Sequence, residues 1–165
     1  MTDHSAIIKV GISDMKIVTA PDFIRTSGLG SCVGIVIYDQ MREIAGLSHI
    51  MLPDSKLAKQ DSINIWKYAD TAIPELIRKL VNAGAKKTFL KAKIAGGAQM
   101  FQFSTASEIM RIGPRNVEAV KKLLMASNID LVAEDTGGNR GRTIEFNPKT
   151  AVLMIRTANK EIYQL

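Results

Sequence analysis

Along the first half of the chain, apolar and β-branched residues come in short runs broken by turn formers. Ile7–Gly11, Met15–Thr19 and Phe23–Thr26 are such runs, with Ser13-Asp14 and Pro21-Asp22 between them. Val33-Gly34-Ile35-Val36-Ile37-Tyr38 is almost wholly apolar, the pattern of a strand covered on both faces, and the polar Asp39–Glu43 joins it to a second apolar run, Ile44–Leu52. Together they predict a buried hairpin whose ends lie close together. Pro53-Asp54-Ser55-Lys56 ends the second run, and the polar stretch to Asn64 reads as a surface loop.

From about Ile65 to Asn82 the period changes. Ala69, Ala72, Ile73, Leu76, Ile77, Leu80 and Val81 recur at three- and four-residue steps, which predicts a helix that Pro74 kinks or divides and Gly84 stops. Phe89–Ala95 is a strand candidate ending in Gly96-Gly97, and Gln99–Ser107 carries no clear period. Gly113-Pro114-Arg115-Asn116 opens a second amphipathic helix, with Val117, Val120, Leu123 and Leu124 on one side and Glu118, Lys121 and Lys122 on the other. Ile129–Ala133, Arg142–Phe146 and Ala151–Thr157 complete the chain as strands around Gly137-Gly138-Asn139 and Asn147-Pro148. Many strands and two main helices predict an α+β layered domain.

Composition narrows the class. At 165 residues, 46% hydrophobic and 23% charged, the chain has the size of one domain, residues 1–165, with a substantial core. The N-terminus lacks a basic flank followed by an apolar segment, and no run approaches a membrane span, so a cytoplasmic protein that is not inserted in a membrane is expected. A net charge of +6 invites a nucleic-acid reading. The basic residues are scattered, however, and few aromatics interleave with them, so no nucleic-acid partner is expected.

Candidate chemistry centres on Arg25-Thr26-Ser27-Gly28-Leu29-Gly30-Ser31-Cys32-Val33-Gly34, which holds the only cysteine of the chain. It is neither a phosphate loop, lacking the required Lys-Ser/Thr, nor a dinucleotide fingerprint, since its third glycine comes one residue late and lies in a strand-like run. Cys32 follows a Gly-x-Gly-Ser turn, where backbone N–H groups can converge as an oxyanion site requires. If the two buried strands pair about a turn near Gln40–Arg42, counting outward brings His49 back beside Cys32. A histidine there would draw off the thiol proton and stabilise the thiolate; lowering a thiol pKa from ~8.5 to ~6 raises its thiolate fraction at neutral pH to about 90%. Thr26 is within plausible reach as the group that orients the imidazole, although a β-branched residue also suits a strand without any such role. One cysteine and two histidines at these spacings do not make a zinc site, so no metal is expected. Gly137-Gly138-Asn139-Arg140-Gly141-Arg142 reads as a wide turn between strands, with arginines available to a partner carboxylate.

Several ordered blocks of the sequence resemble the CheD family of chemoreceptor glutamine deamidases. They are Thr26 with Leu29-Gly30-Ser31-Cys32-Val33; Gly46 through His49 to Met51-Leu52-Pro53; Lys93 to Phe101; Ile112-Gly113-Pro114-Arg115-Asn116; and Glu134 to Arg142. The resemblance implies a layered α/β sandwich of mixed and antiparallel strands, with catalytic Cys32, His49 and Thr26. It also implies deamidation of glutamines on the cytoplasmic helical region of chemoreceptors, the methyl-accepting chemotaxis proteins, in association with membrane-bound receptor arrays, and binding to a CheC-type phosphatase. Ala151 departs from the family, which commonly has glycine in the last hairpin.

The chemistry expected is acyl transfer through a thioester, with Cys32 as nucleophile, His49 returning a proton to the leaving ammonia, and the turn at Gly30, Ser31 and Cys32 holding the substrate oxyanion. No organic cofactor is required. Two other readings use the same residues: a peptidase or transglutaminase-like acyl transferase, and a chemotaxis adaptor with little activity.

Overall fold

The computed structural model describes residues 5–58, 63–99 and 111–165. Among the described residues, ten strands form two five-stranded sheets. The outer sheet has the order β1 (Ile7–Val10), β3 (Phe23–Leu29), β8 (Arg142–Asn147), β9 (Val152–Thr157), β10 (Ile162–Gln164). The central sheet has the order β2 (Met15–Thr19), β5 (Ile44–Ile50), β4 (Val33–Asp39), β6 (Lys91–Gly96), β7 (Asp130–Thr136). Two helices, α1 (Ala69–Asn82) and α2 (Ile112–Ala126), cover the other face of the central sheet. The α+β class and the layered sandwich of mixed strands are those expected; β1–β3 and β6–β7 are parallel and the other strand pairs antiparallel.

The unbroken apolar runs of β4 and β5 now have their reason. Every residue of both strands is buried, because the central sheet is covered on both faces. Val33, Ile35, Ile37, Ile44 and Ile50 face the helices, packing with Ile73, Leu76 and Leu80 of α1 and Val120 and Leu124 of α2. Val36, Tyr38, Ala45 and Leu47 face the outer sheet and meet Ile24, Leu29, Ile144, Phe146 and Leu153. Each buried valine, leucine, isoleucine or phenylalanine among them contributes about 1.5–3 kcal/mol relative to exposure.

Several boundaries differ from the pattern. Residues Ile65–Lys67 make a separate 3₁₀ turn whose Trp66 N–H is capped by the Asn64 side chain, so α1 begins at Ala69. Pro74 lies inside a continuous α1. β3 extends past Thr26 to Leu29, with an irregularity in its pairing to β8. The three-residue β10 has too little pattern to be read from sequence. The unassigned stretch Gln99–Ser107 falls, after Gln99, outside the described residues. Ala151 sits at φ +59°, so the last hairpin keeps the left-handed geometry that glycine usually supplies.

The hairpin register matters most for function. β4 and β5 pair from Asp39↔Ile44 to Val33↔Ile50, which sets His49 opposite Gly34 rather than Cys32. The turn is centred one residue later than the sequence count assumes, and the strands slide by two positions. A two-residue shift keeps every side chain on its face, so His49 stays on the face of Cys32.

Candidate active site

The link between β3 and β4 is only Gly30-Ser31-Cys32, and its backbone is tied down from below. The Gly30 carbonyl accepts the Ala98 N–H at 2.8 Å, and the Cys32 carbonyl accepts the Gly97 N–H at 2.8 Å. Both donors lie just past the end of β6. Gly96, at φ +114°, must be glycine there: a Cβ would overlap the Cys32 carbonyl oxygen. The Gly30 N–H donates to the Gly28 carbonyl at 3.1 Å, which closes the bend.

His49 is fully buried on β5 and faces the outer sheet. Across the gap between the sheets stands Thr26 of β3, itself 2% exposed, with Oγ1 2.7 Å from His49 Nδ1. The same hydroxyl donates to the Val10 carbonyl of β1 at 2.8 Å. A threonine hydroxyl has one hydrogen to give. Since Val10 takes it, Thr26 accepts from His49, which places the imidazole proton on Nδ1 and leaves Nε2 as a bare lone pair. Nε2 is buried and has no hydrogen-bond partner.

Cys32 is half-buried and packs against the same inter-sheet core. It immediately precedes the β4 ladder, two positions along the chain from Gly34, the residue paired with His49. Gly34 contributes by absence. A Cβ there would stand 2.7 Å from Ile144 Cδ1 and 3.2 Å from Leu29 Cδ1, so the bare backbone lets the outer sheet close over this end of the layer.

Electrostatically the site is kept neutral. Burial pushes the Cys32 thiol above its ordinary value, with its own backbone N–H opposing more weakly. Burial likewise lowers the His49 imidazole to about 4. Burial thus favours the thiol of Cys32 and the neutral imidazole of His49 over the ion pair expected from the sequence. Both groups lose the hydration that would favour their charged forms.

A model of the family described as CheD chemotactic sensory transduction matches residues 51–157. The chain is 57% identical over 159 residues to the chemoreceptor glutamine deamidase CheD of Bacillus licheniformis, covering 96% of this chain and 95% of that one. It is 55% identical over 159 residues to the chemoreceptor glutamine deamidase CheD of Bacillus subtilis, covering 96% of each. The chain belongs to the CheD family. Its fold is also similar to that of a Neisseria meningitidis protein of the DUF152 family, with a TM-score of 0.51 at 8% identity. That likeness covers 81% of this chain and 64% of the other, and concerns the fold alone.

Other parts of the chain take structural places. Arg142 is buried, its Nε 3.0 Å from Asp135 Oδ2 and its Nη2 donating to the Gly137 carbonyl at 2.8 Å. Its carboxylate is thus internal, and Tyr163 of β10 hydrogen-bonds the same oxygen. The Gly137–Gly138 turn reaches the loop after β6 through the Gln99 N–H, 2.9 Å from the Gly138 carbonyl. Sequence reasoning missed the Val10 carbonyl and the Gly97 and Ala98 N–H groups, because a main-chain atom carries no residue signature.

Proposed function

We propose that this CheD-family chain is a protein-glutamine deamidase, an amidohydrolase folded as one domain over residues 1–165, with Cys32 as nucleophile. The observation that carries this reading is the Thr26–His49 hydrogen bond: it leaves Nε2 as an unpartnered base on the face and end of the layer that hold the only cysteine. The names of the curated relatives supply the substrate class, glutamine side chains of chemoreceptors.

In this reading His49 Nε2 takes the Cys32 thiol proton as the sulfur attacks the glutamine carboxamide carbon. Transfer accompanies attack, because neither free thiolate nor free imidazolium is favoured in the buried site. The carbonyl π pair becomes an oxyanion, held by backbone N–H groups of Ser31 and Cys32, while Gly30 shapes the turn. Collapse breaks the C–N bond. An imidazolium with a depressed pKa gives its proton up readily, so ammonia leaves and a thioester remains. Water, deprotonated by His49, then hydrolyses the thioester, restoring the thiol and leaving glutamate. Thr26 and the Val10 carbonyl keep the imidazole in the required tautomer throughout. A CheC-type phosphatase is a further partner in this proposal, with the enzyme acting in the cytoplasm at receptor arrays. Among the described residues, no helix is long and apolar enough to cross a membrane.

The test is mass spectrometry of a chemoreceptor cytoplasmic fragment incubated with the enzyme. Glutamine-to-glutamate conversion should appear with the wild type and vanish with Cys32→Ala. Conversion that persists in Cys32→Ala sinks the mechanism. Chain cleavage would point to a peptidase instead, and binding without conversion to an adaptor.

A further inference from the structure

Asn116 is a polar residue on the buried stripe of α2, in line with Gly113, Val120 and Leu124, and it is fully buried. Its side-chain amide donates to two carbonyls at once, Ser31 at 2.9 Å and Met51 at 2.9 Å. Two acceptors on one amide atom fix that atom as nitrogen, so the orientation is settled. Both hydrogens are spent, and Oδ1 is buried without a partner. Leaving a buried acceptor unsatisfied is destabilising, because the group loses its hydration with nothing in return. A leucine at this position of the stripe would avoid that cost, so the amide has a purpose that packing alone does not supply.

Ser31 and Met51 flank the reacting residues: Ser31 immediately precedes Cys32, and Met51 follows His49 by two positions. The Ser31 carbonyl and the Cys32 N–H belong to one peptide unit, planar and trans, in which the two bonds point in opposite directions. Holding the carbonyl on α2 therefore turns the Cys32 N–H away from α2. With the Gly30 and Cys32 carbonyls held by Ala98 and Gly97, all three carbonyls of the link are anchored. The Asn116 anchor is the only one of the three made by a side chain.

Resting on the deamidase reading above, we propose that Asn116 is a positioning residue for the reaction: by clamping the Ser31 and Met51 carbonyls it sets the plane of the Ser31–Cys32 peptide and presents the Cys32 N–H to the oxyanion. It touches neither substrate nor sulfur, and it acts through that peptide.

The test compares two reactions of the same sulfur in Asn116→Ala and in the near-isosteric Asn116→Asp. Alkylation by iodoacetamide is a displacement that forms no oxyanion, whereas deamidation of a receptor fragment does form one. The expected result is a fall in deamidation kcat approaching the roughly 100-fold that loss of an oxyanion donor costs, with KM for the fragment and the pH profile of alkylation unchanged. Deamidation that keeps its kcat in both variants overturns the proposal. So does a parallel loss of alkylation and deamidation, which would make Asn116 a general support of the loop. Failure of both variants to reach the native fold, read by near-ultraviolet circular dichroism, overturns it as well, since the residue would then serve folding alone. If the wild type itself does not deamidate the fragment, it is the parent reading that fails, and an aldehyde analogue of glutamine then tests Asn116 directly. Its hemithioacetal oxyanion should form on the wild type and be weakened in the variants; equal adduct stability overturns the assignment.

Discussion

Thr26 Oγ1 of the outer sheet lies 2.7 Å from His49 Nδ1 of the central sheet, and the Val10 carbonyl takes the one hydroxyl hydrogen. The two sheets are thereby joined through the imidazole. Thr26→Val keeps the shape but removes the acceptor, leaving the imidazole free to move its proton to Nε2, where it can no longer serve as a base. The expected outcome is a loss of roughly 10–100-fold in deamidation, part of the ~10²–10⁴ that a positioned base supplies. Thr26→Ser, which retains the hydroxyl, should recover most of it. Steady-state kinetics on a receptor fragment decides the matter, and equal rates for Val and Ser variants would refute the tautomer assignment.

Burial lowers His49 to about 4, so the folded protein binds that proton less tightly than the unfolded chain does. Between the ordinary imidazole value and about 4 the unfolded state carries more protons, and stability there rises with pH. The contribution is complete above about pH 6.5 and is lost as pH falls to 4, amounting to on the order of 3 kcal/mol. Denaturant unfolding from pH 7 to pH 4 should show wild type losing more stability than His49→Gln over that window. Parallel curves for the two proteins would contradict the burial argument.

The Cys32 thiol, raised by burial, should alkylate slowly at neutral pH, with a rate that climbs through a midpoint above the ordinary cysteine value. Iodoacetamide kinetics from pH 6 to pH 10 measure it. A midpoint below 7 would instead reveal the thiolate–imidazolium pair that the sequence led one to expect.

Gly34 can be tested as a spacer between the sheets. Gly34→Ala brings a methyl to 2.7 Å from Ile144 Cδ1 and should cost about 1–3 kcal/mol as overpacking. Ile144→Val removes that contact atom, so the double variant should be more stable than the sum of the single effects. Strict additivity would show that the outer sheet moves instead.

The fold class, the buried hairpin and both helical stripes were legible because burial writes itself as period: an unbroken run where two faces are covered, a three- and four-residue step where one is. Register was less legible. The sequence places a turn between Tyr38 and Ile44 but not its centre, and the pairing energy of adjacent even registers differs only through contacts with other layers. Here Gly34, opposite His49, is what the outer sheet demands.

The amino-acid sequence by itself determined which reactive groups are available to the proposed site: one thiol, one imidazole beyond the N-terminus, a threonine on the strand that leads into the loop. Only the tertiary structure decided their electrical state and their helpers. Charge in a protein depends on what replaces water around a group, and the replacements come from far along the chain: Thr26 is 23 residues from His49, and Asn116 is 85 residues from the carbonyl it holds. No local pattern encodes those distances; the closing of the outer sheet and of α2 onto the central sheet does.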